Sequence, residues 1–116
     1  MHKTLLETDI LDTIAECFSI PRMTLQIDNA MVFKREYTGK GMFTHFAVPV
    51  SVPTIPDEEL PKSPLPGPQI SSPELEAGGG SLLWVTGGAI ACLEIYAHGD
   101  AFPEELTEFT LSKECV

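Results

Sequence analysis

Basic residues are scarce in this sequence. Seven Lys and Arg stand against 17 Asp and Glu in 116 residues, giving a formal net charge of −10 at pH 7. A chain of this charge repels phosphate backbones and anionic headgroups at long range, which argues against nucleic acid and membrane surfaces as partners and favours basic ones. Cysteine is scarce too. Cys17, Cys92 and Cys115 are odd in number and widely spaced, with no CxxC pair and no histidine at finger spacing, so neither a disulfide scaffold nor a zinc site is expected. No apolar run of signal length follows Met1-His2-Lys3-Thr4, and the longest nearly uncharged stretch, Ala77 to Leu93, is interrupted by five glycines. Neither a secretory signal nor a membrane-spanning helix is expected, and the compartment suggested is the cytoplasm. A length of 116 residues suits a single domain over 1–116 with a core of its own, needing no cofactor to hold it together.

Periodicity then sets the architecture. Leu6, Ile10, Ile14, Cys17 and Phe18 recur at helical spacing, with Thr4 and Glu7 placed as a capping box, so a helix is expected over 5–18 and Pro21 ends it. Ile20, before that proline, is expected to be extended. From Leu25 the apolar period changes to two, predicting a strand over 25–34. The turn Thr38-Gly39-Lys40-Gly41 and the aromatic run 42–48 complete a hairpin. Eight of the ten prolines lie between 49 and 73, and with Gly78-Gly79-Gly80 they predict a partly mobile loop over 49–80. A second hairpin pairs 82–85 with 89–96 about Thr86-Gly87-Gly88; its returning strand is apolar at both parities and is expected to be covered on both faces. A turn or short edge strand near 104–109 closes the chain. The fold class is α+β, an N-terminal helix packed on an antiparallel sheet of four to five strands built from two hairpins.

Few residues carry recognisable chemistry. Glu94, His98 and Asp100 at the end of the fourth expected strand, with His45 from the second, are the candidates for general acid/base work or a weak metal site. Glu94 and His98 share a strand parity but lie about 13 Å apart along a regular strand, too far to hold one ion between them. The alternative is structural, with Glu94 hydrogen-bonded in the sheet and His98-Gly99-Asp100 forming a turn. No cysteine has a cationic neighbour, no serine sits in a GxSxG elbow, and no glycine cluster has phosphate-loop spacing. PxxP spacings in the proline segment lack the flanking basic residues of a docking ligand, which favours a spacer. Lys34, Arg35 and Lys40 form a basic cluster too small for nucleic acid.

The charge is unevenly distributed. Residues 1–41 hold 5 basic and 6 acidic groups, whereas residues 42–116 hold 2 basic and 11 acidic ones. That locates a binding surface for a basic partner in the second part, with Asp100, Glu104, Glu105 and Glu108 as its candidate residues.

The segments Arg35-Glu36-Tyr37-Thr38-Gly39-Lys40-Gly41-Met42-Phe43-Thr44-His45-Phe46 and Leu93-Glu94-Ile95-Tyr96-Ala97-His98-Gly99-Asp100-Ala101-Phe102-Pro103 carry a resemblance. The chain resembles a family of small bacterial proteins of uncharacterised function, whose pattern is approximately R-x-x-T-G-x-G-x-F-T-x-F in a hairpin and L-E-x-Y-x-x-G-D-x-x-P near the C-terminus. The resemblance implies a small cytoplasmic bacterial protein and assigns no catalytic residue. Together these readings lead to a non-enzymatic interaction module that binds a basic protein, in the manner of an immunity protein. The alternative is a small-ligand-binding protein or enzyme with its pocket between sheet and long loop. The sequence also allows homodimerisation through a sheet edge, beside Trp84.

Overall fold

The computed structural model describes residues 1–61, 63–99 and 101–115. Helices α1 (Leu5–Phe18) and α2 (Pro21–Asn29) precede strands β1 (Met31–Tyr37) and β2 (Gly41–Ala47). A short 3-10 turn, Asp57–Glu59, leads to β3 (Leu65–Pro66), β4 (Pro68–Ser72), β5 (Leu75–Thr86), β6 (Ala89–Ala97) and β7 (Thr110–Cys115). All pairings are antiparallel, in the order β1-β2-β6-β5-β4-β7, with β3 joining β5 separately. The α+β class and the helix-on-sheet arrangement are as the sequence leads one to expect, with seven strands among the described residues rather than four or five, and a second helix.

The second helix replaces the start of the expected strand 25–34. Leu25 and Ile27 alternate as strand residues would, but Met23, Gln26, Ile27 and Ala30 are the residues that become buried, at helical spacing. Pro21 begins this helix rather than only ending the previous one. Its fixed φ and missing N–H suit the first helical turn, while Ser19 in the left-handed region (φ 51°) and Ile20 in extended backbone make the corner between the helices.

Alternation in the sheet divides two surfaces. Met42 and Thr44 on β2, Leu93 and Ile95 on β6 and Ser81 and Leu83 on β5 are buried and register with one another across the strands, and Phe46 on β2 is buried opposite Val32 of β1. They face the helices and pack with Ile10, Leu11 and Ile14 of α1. Phe43, His45, Cys92, Glu94, Leu82 and Trp84 occupy the opposite parity and are only half-buried or exposed. The expectation that β6 is covered on both faces is therefore corrected: helices cover one side, and apolar residues at both parities reflect a half-exposed second side.

The segment 49–80 is more ordered than its prolines suggest. It contains β3, β4 and the first half of β5, and it buries Ile55, Leu65 and Ile70. Pro66 ends the two-residue β3, and Pro68 opens β4 beside a register shift, positions where a missing ladder donor costs least. Ile55 donates its N–H to the Gly88 carbonyl (2.7 Å), and buried Gln26 holds Pro53 and Gly88 carbonyls together while accepting from the Ile90 N–H. The glycines at 78–80 are not a hinge. They lie within β5, where a Cβ on Gly79 would come 2.5 Å from the Tyr96 carbonyl oxygen and one on Gly80 2.5 Å from the Tyr96 hydroxyl. Gly79→Ala is expected to destabilise by about 1–3 kcal/mol through steric strain, measurable as a lower urea midpoint with unchanged slope; an unchanged midpoint would contradict this packing.

Two further expectations change. The terminal strand is Thr110–Cys115 rather than a turn or short strand at 104–109, and the strand holding Trp84 is internal, flanked by β6 on one side and by β3 and β4 on the other. Among the described residues the strand order ends at β1 and β7, and the short β3 pairs only with β5. Cys17 and Cys115 form a disulfide between the end of α1 and β7, with Cα atoms 6.2 Å apart. Pairing two of the three cysteines across 98 positions leaves Cys92 as the free thiol, a combination that no local spacing displays. It also removes the support that unpaired cysteines lent to the cytoplasmic reading. No helix among the described residues is long and apolar enough to cross a membrane.

Candidate binding cleft

The first turn of α1 is held by the capping box anticipated from Thr4 and Glu7: the Glu7 N–H donates to Thr4 Oγ1 (3.1 Å) and the Thr4 N–H donates to Glu7 Oε1 (2.8 Å). The same carboxylate, fully buried, also faces the sheet. Arg35 on β1 donates from Nη2 to Oε1 (2.8 Å) and from Nε to Oε2 (2.9 Å), and Thr44 on β2 donates its hydroxyl to Oε2 (2.6 Å). Each oxygen thus accepts two hydrogen bonds, close to the capacity of a carboxylate. Burial alone pushes the Glu7 pKa up, but the bonds from Arg35, Thr44 and the Thr4 backbone outweigh it and hold the carboxyl below its usual value. The bond to Glu7 in turn raises the Arg35 pKa.

Beside this network opens a cleft of about 600 Å³ between the start of α1, the end of the β1–β2 hairpin and the segment 102–109. Leu5, Tyr37, Met42, Phe102, Leu106 and Phe109 provide its apolar lining, and Glu104 and Glu105 stand at its side. Two contacts fix the loop that carries those carboxylates. The Phe102 N–H donates to the Gly39 carbonyl (3.0 Å) in the β1–β2 turn, where Gly39 takes the positive φ (85°) expected of it. At the other end Glu74 Oε1 accepts from the backbone N–H groups of Thr107 and Glu108 (both 2.9 Å) and from the Thr107 hydroxyl (2.8 Å). These bonds lower the Glu74 pKa. Glu74→Ala is expected to accelerate amide hydrogen exchange at Thr107 and Glu108 while leaving core strands protected; equal exchange in both proteins would show that the clamp is not what holds the loop.

Glu104 and Glu105 have no ion pair among the described residues. Of the other residues read as a binding surface, Glu108 lines a separate depression with Ser71, Ser72 and Pro73, and Asp100 lies outside the described residues. Acidic groups are also more widely spread than the sequence count implies. Asp12, Glu16 and Asp28 line a shallow groove between the helices, where burial and the charges of Asp28, Asp9 and Glu16 raise the Asp12 pKa. No family model, curated protein or solved structure matches the chain.

Of the acid/base candidates, Glu94, His98 and His45 are not assembled into a site, and Asp100 lies outside the described residues. His45 Nε2 lies 2.7 Å from Glu36 Oε1 and its ring packs against Phe33, with centroids 5.9 Å apart. His98 Nε2 lies 2.6 Å from Gln69 Oε1 and its ring meets the edge of Tyr96. Glu94 sits on the open sheet face between Phe43 and Leu82 in register. Among the described residues, no three His, Cys, Asp or Glu side chains converge as metal ligands. Cys92 opposes His45 and Trp84 in register, but burial, followed by the Glu94 and Glu36 charges, pushes its thiol up to about 11, so it remains protonated at neutral pH. The basic cluster also dissolves: Arg35 points inward to Glu7, while Lys34 lies 3.7 Å from Glu36 on the other side of β1.

What sequence reasoning missed is the pairing of Glu7 with Arg35 and the apolar lining. The capping box accounted for Glu7 on its own, and the lining residues are scattered from position 5 to 109. The one available signal was Thr44, a polar residue at a buried parity of β2.

Proposed function

We propose that this chain is a non-enzymatic interaction domain that binds a basic protein, with the cleft beside α1 as its docking site. The observation that carries the reading is the pairing of an apolar lining with two carboxylates, Glu104 and Glu105, that lack ion-pair partners among the described residues. Opposite charge on a partner is attracted to such a site before contact, and exclusion of water from the apolar part then holds it. The charge of −10 extends that attraction beyond the cleft and disfavours anionic ligands over the whole surface. The alternative of a ligand or enzyme pocket using Glu94, His98, Asp100 and His45 draws no support from its described members, because His45 and His98 each have a different hydrogen-bond partner; Asp100 lies outside the described residues.

The test is capture from a bacterial lysate at low and high salt, using the wild-type chain and the E104K/E105K variant in parallel. A basic protein retained by the wild type at low salt, released at high salt and not retained by the variant is the expected result. Failure to capture any salt-sensitive basic protein would remove the reading.

A further inference from the structure

Resting on the reading of the cleft as a docking site, the geometry also constrains the chemical form of what docks there. The lining presents hydrocarbon to solvent: Leu5 is 70% exposed and Tyr37 51%. Such surface favours a ligand that brings apolar atoms of its own. Phe102, by contrast, is only 8% exposed and forms a firm base. At about 600 Å³ the space suits a few side chains rather than a large folded surface.

The charges around the cleft are ordered so that one sign is left over. Arg35 is a lining residue and would repel a cation if it were free, but its guanidinium is held in a two-bond fork by Glu7. The Glu7 carboxylate and the Thr4 cap likewise satisfy the positive end of α1, which also meets the cleft. Glu104 and Glu105 remain as the unneutralised groups. A cation arriving there meets two carboxylates without displacing an internal partner.

The other exposed surfaces do not combine these features. On the open sheet face Phe33 and Trp84 are exposed, but the Glu36 carboxylate there already engages Lys34 and His45, and Glu94, half-buried between Phe43 and Leu82 in register, is a single carboxylate rather than a pair. In the groove between the helices Asp12, Glu16 and Asp28 repel one another, yet Ile20 is 2% exposed and offers little apolar surface to a ligand.

We infer that the cleft receives one Lys or Arg side chain of the partner together with an apolar side chain next to it. The aliphatic stem of the basic residue lies along Phe102 and Leu106, its cation reaches Glu104 and Glu105, and the neighbouring apolar side chain covers Leu5 and Tyr37. Recognition of this kind needs both parts, so a basic side chain flanked by polar ones binds less well.

An NMR titration of isotope-labelled protein with the peptide Gly-Leu-Arg-Leu-Gly tests this directly. The expected result is amide shifts confined to residues 4–6, 37 and 102–109, with binding weakened about tenfold when the two leucines become serine and by a similar factor in E104Q/E105Q. The spectrum of that variant reports its folding in the same experiment. Equal binding to E104Q/E105Q, equal binding of the serine peptide, shifts mapping to the helical groove or the open sheet face, or no binding at millimolar peptide would each overturn the inference. If a salt-sensitive basic partner is nevertheless captured from lysate, only this assignment of the docked segment fails. If no such partner is captured either, the reading beneath it fails as well.

Discussion

Arg35→Ala is expected to destabilise the fold by about 3–5 kcal/mol at neutral pH, because it leaves the buried Glu7 carboxylate without its counter-charge. The loss exceeds that of an exposed ion pair for a geometric reason. Glu7 is inaccessible to water, and the variant removes two of the four hydrogen bonds its oxygens accept. Replacing both partners, as in Glu7→Gln with Arg35→Met, is expected to cost less than Arg35→Ala alone, since no unpaired charge remains inside. The pH dependence has a definite sign. In the wild type the folded Glu7 pKa is lowered, so its contribution is fully present above the ordinary carboxylate range and is lost as pH falls through the folded value. In Arg35→Ala burial acts with much less opposition and the carboxyl protonates more readily, which relieves the penalty as pH falls. The stability gap between the two proteins should therefore narrow on acidification. Urea unfolding across pH 4 to 8 measures it, and a gap that stays constant or widens toward acid would contradict the role given to this pair.

Reduction of the Cys17–Cys115 disulfide is expected to lower stability by about 2–4 kcal/mol. The bridge closes a loop with a sequence separation of 98, so most of the chain is constrained in the unfolded state when it is intact. It also ties β7, an edge strand, to the end of α1, and β4 is the one strand that pairs with β7 among the described residues. Loss of the bridge should consequently raise hydrogen exchange in β7 before it does so in β5 or β6. Urea unfolding with and without dithiothreitol tests this, with Cys17→Ser/Cys115→Ser as the reference that the reductant should not shift. Equal midpoints for the oxidised and reduced wild type would contradict it.

The parts of the fold that were legible in the sequence are those fixed by local physics. The first helix follows from an apolar stripe and a capping box, and both hairpin turns follow from Thr-Gly positions where positive φ is required. The second helix was obscured because residues 25–34 satisfy a two-residue period nearly as well as a helical one over so short a span, and burial of Gln26 decided for the helix. Gln26 is polar, yet it is enclosed because its amide joins three backbone groups from distant segments. The proline segment misled for a related reason: proline excludes ladder donors, but Pro66 and Pro68 fall at strand ends, where tertiary pairing tolerates them. The disulfide and the Glu7–Arg35 pair join residues far apart in sequence, and neither leaves a local spacing signal. Charge counting singled out Asp100, Glu104, Glu105 and Glu108, of which Glu104 and Glu105 line the cleft while Glu108 lines a different depression. The apolar lining could not be read in the same way, since Leu5, Tyr37 and Phe102 come together only when the hairpin, the helix and the 102–109 segment meet.

The association rate of a captured basic partner with the wild-type chain and with E104K/E105K, followed over a range of salt, tests whether docking takes place at the cleft. A docking site at the cleft predicts a wild-type rate that falls steeply with salt and a variant rate lower by at least about tenfold at low salt, with the two converging as salt screens the charges. Equal rates for the two proteins at low salt, with the variant folded, would contradict the cleft as the docking site.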